Sequence, residues 1–371
     1  MELDMNSTSS SSRISSFPCQ QPKKTPPTTH HDFLDEQSLV DLLSHGLPSD
    51  QEAALVSVRH ATRSNNPDLR ITMCTPTLLS CLCPMILSGT ASLRTNAIAI
   101  VVNLSLEPPN RTRIIKSGIL NLLIGLLKNG AGGDITTDAK GLAVAAIHSV
   151  SVEEKTRTTI GALGAVLPLM EVFSRRDEEK VARQDAGMAI YYLTFSADNR
   201  GRVVKANGAV KRIVQVLKRD QDEDIKSVGM RIACNLARCE DGRSALMEAD
   251  GVAIMVGLIQ PKSVQDMVYM AAATIYGMSK GKSMRFRCMA KSANAEEVLI
   301  RVSEEGSGPV REMAKRTLQA IRGDGEEEER EEWYEYAGSR GAGGLAISEP
   351  MKRRQGSYNG NTAVSQPNWM Q

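Results

Sequence analysis

Apolar residues in this chain fall into short helical runs, and the runs recur at a nearly fixed interval. A turn residue, a small or aliphatic residue and an apolar stretch follow one another at five places. They are Gly118 before ILNLLIGLL, Gly164 before AVLPLMEVF, Gly208 before AVKRIVQVL, Gly251 before VAIMVGLI and Asn294 before AEEVLIRV. The spacings are 46, 44, 43 and 43 residues, and Thr75 with Pro76 fits one period earlier. A period in the forties with only helical patterns inside it predicts an all-α solenoid of stacked repeats. Such arrays bind other chains more often than they catalyse reactions.

Residues 109–150 illustrate the predicted unit. Pro108 and Pro109 stop the preceding helix, because proline lacks the amide donor and clashes with the turn before it. Asn110 is placed as the N-cap of a short first helix, RTRIIKS, with Asn199 and Asp241 in the same position of later units. Gly118 ends that helix in a left-handed conformation, which costs glycine little. Asn294 replaces glycine there, and asparagine tolerates that geometry best among the other residues. A second helix over 119–129, apolar on several faces, is followed by the loop GAGGD at 130–134 and a third helix at about 136–150.

Six such three-helix units are expected, at 66–106, 109–151, 153–195, 198–238, 241–280 and 286–322. A half repeat at 32–64 precedes them. Its first helix, EQSLVDLLSHG, ends at Gly46, and its second is opened by Pro48 and Ser49. Residues 1–31 are Ser, Thr, Pro and Gln with little to bury, so they read as a disordered leader. Residues 323–371 read as a disordered tail, first acidic and then polar, and hold both tryptophans, Trp333 and Trp369.

Composition narrows the function classes. Aromatics are only 4% of the 371 residues, which suits helix stacking better than a β-sandwich. A net charge of +2 argues against a nucleic-acid partner. Seven cysteines (19, 74, 81, 83, 234, 239, 288) read as reduced, buried thiols of an intracellular protein. The N-terminus carries no signal-peptide pattern, and no apolar run is long enough to span a membrane. The expected location is cytoplasmic, nuclear or both, with Lys352-Arg353-Arg354 as a short basic motif in the tail.

The segments CTPTLLS, LRTNAIAIVVNLSLEPPNRTRIIKSG, IGALGAVLPLMEVF, RQDAGMAIYYLTFS and AEEVL carry a closer likeness. Over about residues 35–322 the chain resembles the armadillo-repeat region of plant U-box E3 ubiquitin ligases. The resemblance implies a right-handed α-solenoid of armadillo repeats that recognises a client. In that family the docking of ubiquitin-conjugating enzyme belongs to an N-terminal U-box, marked by Cys-Pro-Ile and then Asp-Pro-Val. Only about 31 residues precede the first predicted helix here, and Cys83-Pro84-Met85 is followed by SGTASLRTN with no Asp-Pro-Val. That tripeptide also falls at a second-helix position, so ligase activity is not carried over to residues of this chain.

No HExxH, GxSxG or Cys/His zinc spacing occurs, and the glycine-rich segments GAGGD at 130–134 and GAGG at 341–344 lack the GK[ST] ending of a phosphate loop. Catalytic residues, a metal site and cofactors are therefore not expected. The candidate site is a groove lined by third helices. Asn103, Ser149, Tyr192, Asn235 and Gly277 share one helical register, and Ala99, Ala145, Met188, Arg231 and Ala273 stand one turn earlier. Asn103, Ser149, Met188, Tyr192, Arg231 and Asn235 are the candidate partner-binding residues. Asparagine there can hydrogen-bond an extended backbone. The same residues could instead only close helix ends, and one residue can do both. Nuclear-import carriers place Trp on such a face, but the array here contains none.

The expectation is a scaffold that holds a client protein or peptide and is linked to ubiquitination, with other E3 or E2 components as further partners. The alternative is an E3 ligase acting in a longer form or through a recruited E2. The Glu-rich run at 326–332 is a candidate intramolecular occupant of a basic groove.

Overall fold

The computed structural model describes residues 36–323, apart from 130–134, Lys262, Lys282 and Ser307. The leader 1–31, the GAGGD loop, Cys19, Trp333, Trp369, the basic motif and the tail beyond Gly323 lie outside the described residues. All regular elements among the described residues are helices. A pair, α1 (Glu36–His45) and α2 (Pro48–Arg63), comes first. Triplets follow: α3 (Pro67–Met73), α4 (Pro76–Ser88) and α5 (Ala91–Ser105), then α6 (Pro108–Lys116), α7 (Ile119–Asn129) and α8 (Thr137–Ser151). Next are α9 (Glu154–Ala162), α10 (Val166–Ser174) and α11 (Lys180–Leu193), then α12 (Ala197–Lys205), α13 (Ala209–Arg219) and α14 (Glu223–Leu236). The last two are α15 (Glu240–Glu248), α16 (Gly251–Leu258) and α17 (Gln265–Ser279), and α18 (Met284–Ser292), α19 (Ala295–Glu305) and α20 (Gly308–Arg322).

In four of the six triplets a left-handed turn falls where the sequence pattern placed the marker. Gly118, Gly164 and Gly208 have φ of 80°, 81° and 70°, and Asn294 has φ 52°. In the fifth triplet the marker is displaced by one residue. Asp250, not Gly251, is left-handed (φ 61°), and Gly251 is the first residue of α16. Gly251 is needed for a different reason: a Cβ there would stand 2.7 Å from Leu246 O. Thr75 is extended (φ −86°) and caps α4, accepting from Leu78 N.

The expected N-caps of the first helices also shift. Glu107, Ser196 and Cys239 hold the cap positions of α6, α12 and α15. Asn110, Asn199 and Asp241 are already helical. Proline at the first helical position explains the extra turn of α6, since its missing donor is one that a helix start leaves unpaired anyway. Asn66 caps α3 by accepting from Leu69 N, and three of the third helices, α5, α8 and α14, also have side-chain caps. Thr90, Thr136 and Asp222 accept from Leu93 N, Ala139 N and Ile225 N at 3.3, 3.2 and 3.2 Å.

One apolar cluster of buried side chains runs from Leu39 to Ile321. Third helices stack in succession, α5 on α8, then α11, α14, α17 and α20, with α2 beginning the row. Second helices form a parallel outer row from α4 to α19. Each unit thus buries its apolar face only against its neighbours, as a solenoid requires. The thiols differ from the expected buried set. Among the described residues Cys74 is buried, Cys81, Cys83, Cys234 and Cys239 are partly exposed, Cys288 is exposed, and all are free.

Candidate protein-interaction groove

The row of third helices brings the predicted register together. Asn103, Ser149, Tyr192 and Asn235 are 5%, 2%, 4% and 7% exposed, so the register is largely packed. Three of its members reach back to the preceding unit. Asn103 Nδ2 donates to Thr62 Oγ1 at 3.1 Å and to Arg59 O at 3.3 Å. Ser149 Oγ donates to Ser105 O at 2.8 Å, and Asn235 Nδ2 donates to Thr194 Oγ1 at 3.0 Å. Gly277 lets α17 approach α14 closely, since a Cβ there would lie 2.8 Å from Ala237 Cβ. The donors of this ladder therefore brace successive inner helices. The Oδ1 atoms of Asn103 and Asn235 accept no hydrogen bond among the described residues.

One turn earlier, Ala99, Ala145, Met188 and Ala273 are buried, whereas Arg231 is partly exposed. Around Arg231 the middle of the row carries a ring cluster. Tyr191 lies 5.5 Å from Tyr192 and 5.0 Å from Phe195, centroid to centroid. Arg231 sits 6.0 Å over the Tyr191 ring, and Arg157 sits 5.1 Å over Phe195 and 5.8 Å over Tyr192. Burial pushes the Tyr191 phenol up to about 12, and the nearby Arg231 opposes that only in part. His148 stacks on Tyr192 at 5.8 Å, and its Nδ1 lies 3.0 Å from Asp185 Oδ1, joining α8 to α11.

A second row runs along the ends of the inner helices. The fourth residue of each first helix is arginine: Arg70, Arg111, Arg157, Arg200, Arg243 and Arg287. The first four reach back over the C-terminus of the preceding inner helix. Arg70 Nη1 donates to Ser64 O, Arg111 Nε to Ser105 O, Arg157 Nε to Ser151 O and Arg200 Nη1 to Thr194 O, at 2.7 to 3.2 Å. Guanidinium groups satisfy carbonyls that the helix leaves open and face the negative end of its dipole. Burial lowers the affinity of Arg111 and Arg157 for their protons, against nearby carboxylates that raise it.

No family model matches the chain. It is 37% identical over 321 residues to U-box domain-containing protein 41 of Arabidopsis thaliana, covering 85% of this chain and 55% of that protein. It is 31% identical over 312 residues to U-box domain-containing protein 38 of the same plant, covering 79% of this chain and 54% of that one. The chain thus spans about half the length of these curated relatives. Among solved structures, a designed armadillo-repeat protein in complex with the peptide (KR)4 matches with TM-score 0.55 at 19% identity, covering 66% of this chain and 98% of that one. An engineered protein matches with TM-score 0.66 at 17% identity, over 88% of this chain and 77% of that one. The chain is an armadillo-repeat solenoid related to plant U-box domain-containing proteins.

Two features of the armadillo array escaped the sequence reading. The His148–Asp185 pair joins residues 37 apart that share no motif. The arginine row did leave a trace, because Arg70, Arg111, Arg157, Arg200, Arg243 and Arg287 recur with the repeat period. Charge on short first helices reads first as a solvated face, and that masked it. Cys83-Pro84-Met85 is a turn inside α4, with Cys83 Sγ donating to Leu79 O. No group of three or more His, Cys, Asp or Glu that could hold a metal occurs among the described residues. No single described helix is long and apolar enough to cross a membrane.

Proposed function

We propose that the armadillo array is a scaffold that holds a client polypeptide along its inner helices and serves the ubiquitin pathway as a recognition module. The observation that carries this reading is the cluster of Tyr191, Tyr192 and Phe195 with Arg157 and Arg231, set in the middle of a continuous inner row. The partly exposed Phe195, Arg157 and Arg231, backed by the buried Tyr191 and Tyr192 on a rigid wall, suit binding hot spots. The rigid wall also lowers the ordering cost of an extended client. The link to ubiquitination is supported by the names of the relatives, and the peptide-bound designed armadillo protein supports a peptide-sized ligand. The cytoplasm and nucleus are the proposed locations, which imaging of a fluorescent fusion would check.

Affinity capture with the purified chain and with an Arg231→Glu variant tests the scaffold. One dominant client is expected, and its yield should fall about tenfold or more with the variant, the size of one hot-spot contact. Equal recovery by both proteins would sink the groove assignment. The match to about half of each relative supports a second reading, in which the array works with a U-box or a recruited E2. Self-ubiquitination by the purified chain with E1 and E2 alone would favour that second reading over the scaffold alone.

A further inference from the structure

The centre of the inner row holds a charge that its own helices do not neutralise. In the register Ala99, Ala145, Met188, Arg231 and Ala273, Arg231 is the one charged member. It stands on α14, which is stacked between α11 and α17. Arg231 is partly exposed, its guanidinium sits over the Tyr191 ring, and its Nε is buried without an acceptor. Among the described residues this guanidinium makes no ion pair and no hydrogen bond.

The carboxylates of the three helices are engaged elsewhere or distant. Asp185 of α11 is buried, with His148 Nδ1 at 3.0 Å. Glu223 and Asp224, in the first turn of α14, pair with Lys226 at 2.7 Å and with Lys180 at 2.9 Å. Asp266 lies in the first turn of α17, seven residues ahead of Ala273, which is about 10 Å along a helix that rises about 1.5 Å per residue. The two phenols beneath Arg231 feel the same one-sided field. Arg231 and Arg157 act on both Tyr191 and Tyr192, Arg111 acts on Tyr192, and no carboxylate acts on either.

We infer that the groove takes an extended acidic segment of its client, with one Asp or Glu carboxylate gripped by Arg231 and an apolar side chain set against Phe195. The inference rests on the groove reading and names the chemistry of the segment that the groove accepts. A guanidinium lying over a ring keeps its N–H groups in its own plane, where they can hold a carboxylate by two parallel hydrogen bonds. Phe195 is partly exposed and stands one ring further on, since Arg231 is 6.0 Å from the Tyr191 ring and that ring is 5.0 Å from Phe195. An extended chain advances about 3.3 Å per residue, so the apolar side chain belongs about two to four residues from the acidic one. A basic segment would instead set its cations against Arg231 and Arg157 with no carboxylate between them.

The test pans a phage-displayed library of random short peptides on the full-length chain. Enrichment of Asp and Glu and depletion of Lys and Arg, relative to the input library, are expected. The best acidic peptide is then labelled with a fluorophore and titrated into the chain and into Arg231→Gln. Its affinity should fall about tenfold in the variant, the size of one hot-spot contact. Each acidic residue of the peptide is changed to Gln in turn. One such change should cost the same on the unaltered chain and almost nothing more on Arg231→Gln, because the two partners of one contact do not add. Additive losses at every acidic residue would show that Arg231 acts only through the fold, and would overturn the inference. Selection of peptides rich in Lys and Arg would overturn it too. Selection of uncharged peptides that bind Arg231→Gln unchanged and are lost with Phe195→Ala would overturn it and leave the groove reading standing. No enrichment above a protein-free control would overturn both.

Discussion

Asn110 Nδ2 donates both to Arg70 O of the preceding unit, at 2.9 Å, and to Leu104 O, at 3.0 Å, from a fully buried position. It ties one first helix to the one before it and to the end of an inner helix. Asn199 repeats the inter-unit tie with Arg157 O at 2.8 Å. In α15 the same position is Gly242, where a Cβ would lie 2.0 Å from Leu236 O, so the chain ends approach directly. Asn110→Leu would take the side-chain donor from Arg70 O and leave Leu104 O with Glu107 N alone, at 3.3 Å. The expected loss is about 1–3 kcal/mol, the cost of a buried group losing its partner. Hydrogen exchange of α6 amides would read it locally, which suits an array whose units need not unfold together. Unchanged exchange would show that the tie carries no stability.

The glycines separate two kinds of constraint. Around Gly118 a Cβ meets nothing within 4 Å, so a side chain there pays only for left-handed backbone, at φ 80°. Gly118→Ala should cost about 1–2 kcal/mol. At Gly187, in α11, a Cβ would stand 2.6 Å from Val228 Cγ1 and 2.7 Å from the Phe173 ring. Gly187→Ala should cost about 1–3 kcal/mol through overpacking. The two differ in rescue. Phe173→Leu should recover part of the loss at Gly187 and none at Gly118, as read by thermal unfolding of the single and double variants. Recovery at both positions would contradict this division.

The turn glycines show how much the sequence could reveal. Left-handed turns recur because only a few residues tolerate them, so Gly118, Gly164, Gly208 and Asn294 mark the period unaided. Gly251 carried the same letter for a steric reason, and the turn passed to Asp250. The helix caps were misplaced because Asn110 and Asn199 look like caps locally, whereas their partners, Arg70 O and Arg157 O, lie a whole unit away. The groove register was legible as periodicity, but its use for bracing was not. Asn235 and Thr194 are 41 residues apart, and only stacking brings them together.

Arg183 and Asp220 form a buried ion pair between α11 and the residue after α13, with side chains 7% and 6% exposed. Arg183 Nε also donates to Phe173 O at 3.1 Å. Asp220→Leu would strand the guanidinium charge, and a broken buried pair costs about 3–5 kcal/mol. The double change Arg183→Leu with Asp220→Leu should be milder than Asp220→Leu alone, because no charge is left buried. Calorimetry on the single and double variants checks the order, and a double variant less stable than the single would refute it.

Lys280 gives the array a pH dependence with a definite sign. Its Nζ sits 4.9 Å over the Tyr276 ring, and burial, helped by Arg316 and Arg243, lowers its pKa from 10.5 to about 8. The fold thus disfavours the ammonium that the unfolded chain carries. Between about pH 8 and 10.5 the unfolded state holds more protons, so stability should rise with pH across that window. Below about pH 8 the penalty is present in full. Lys280→Met should therefore stabilise the protein at pH 7 and flatten its profile between pH 8 and 10. Denaturant midpoints at both pH values measure this, and a Met variant less stable at pH 7 would refute it.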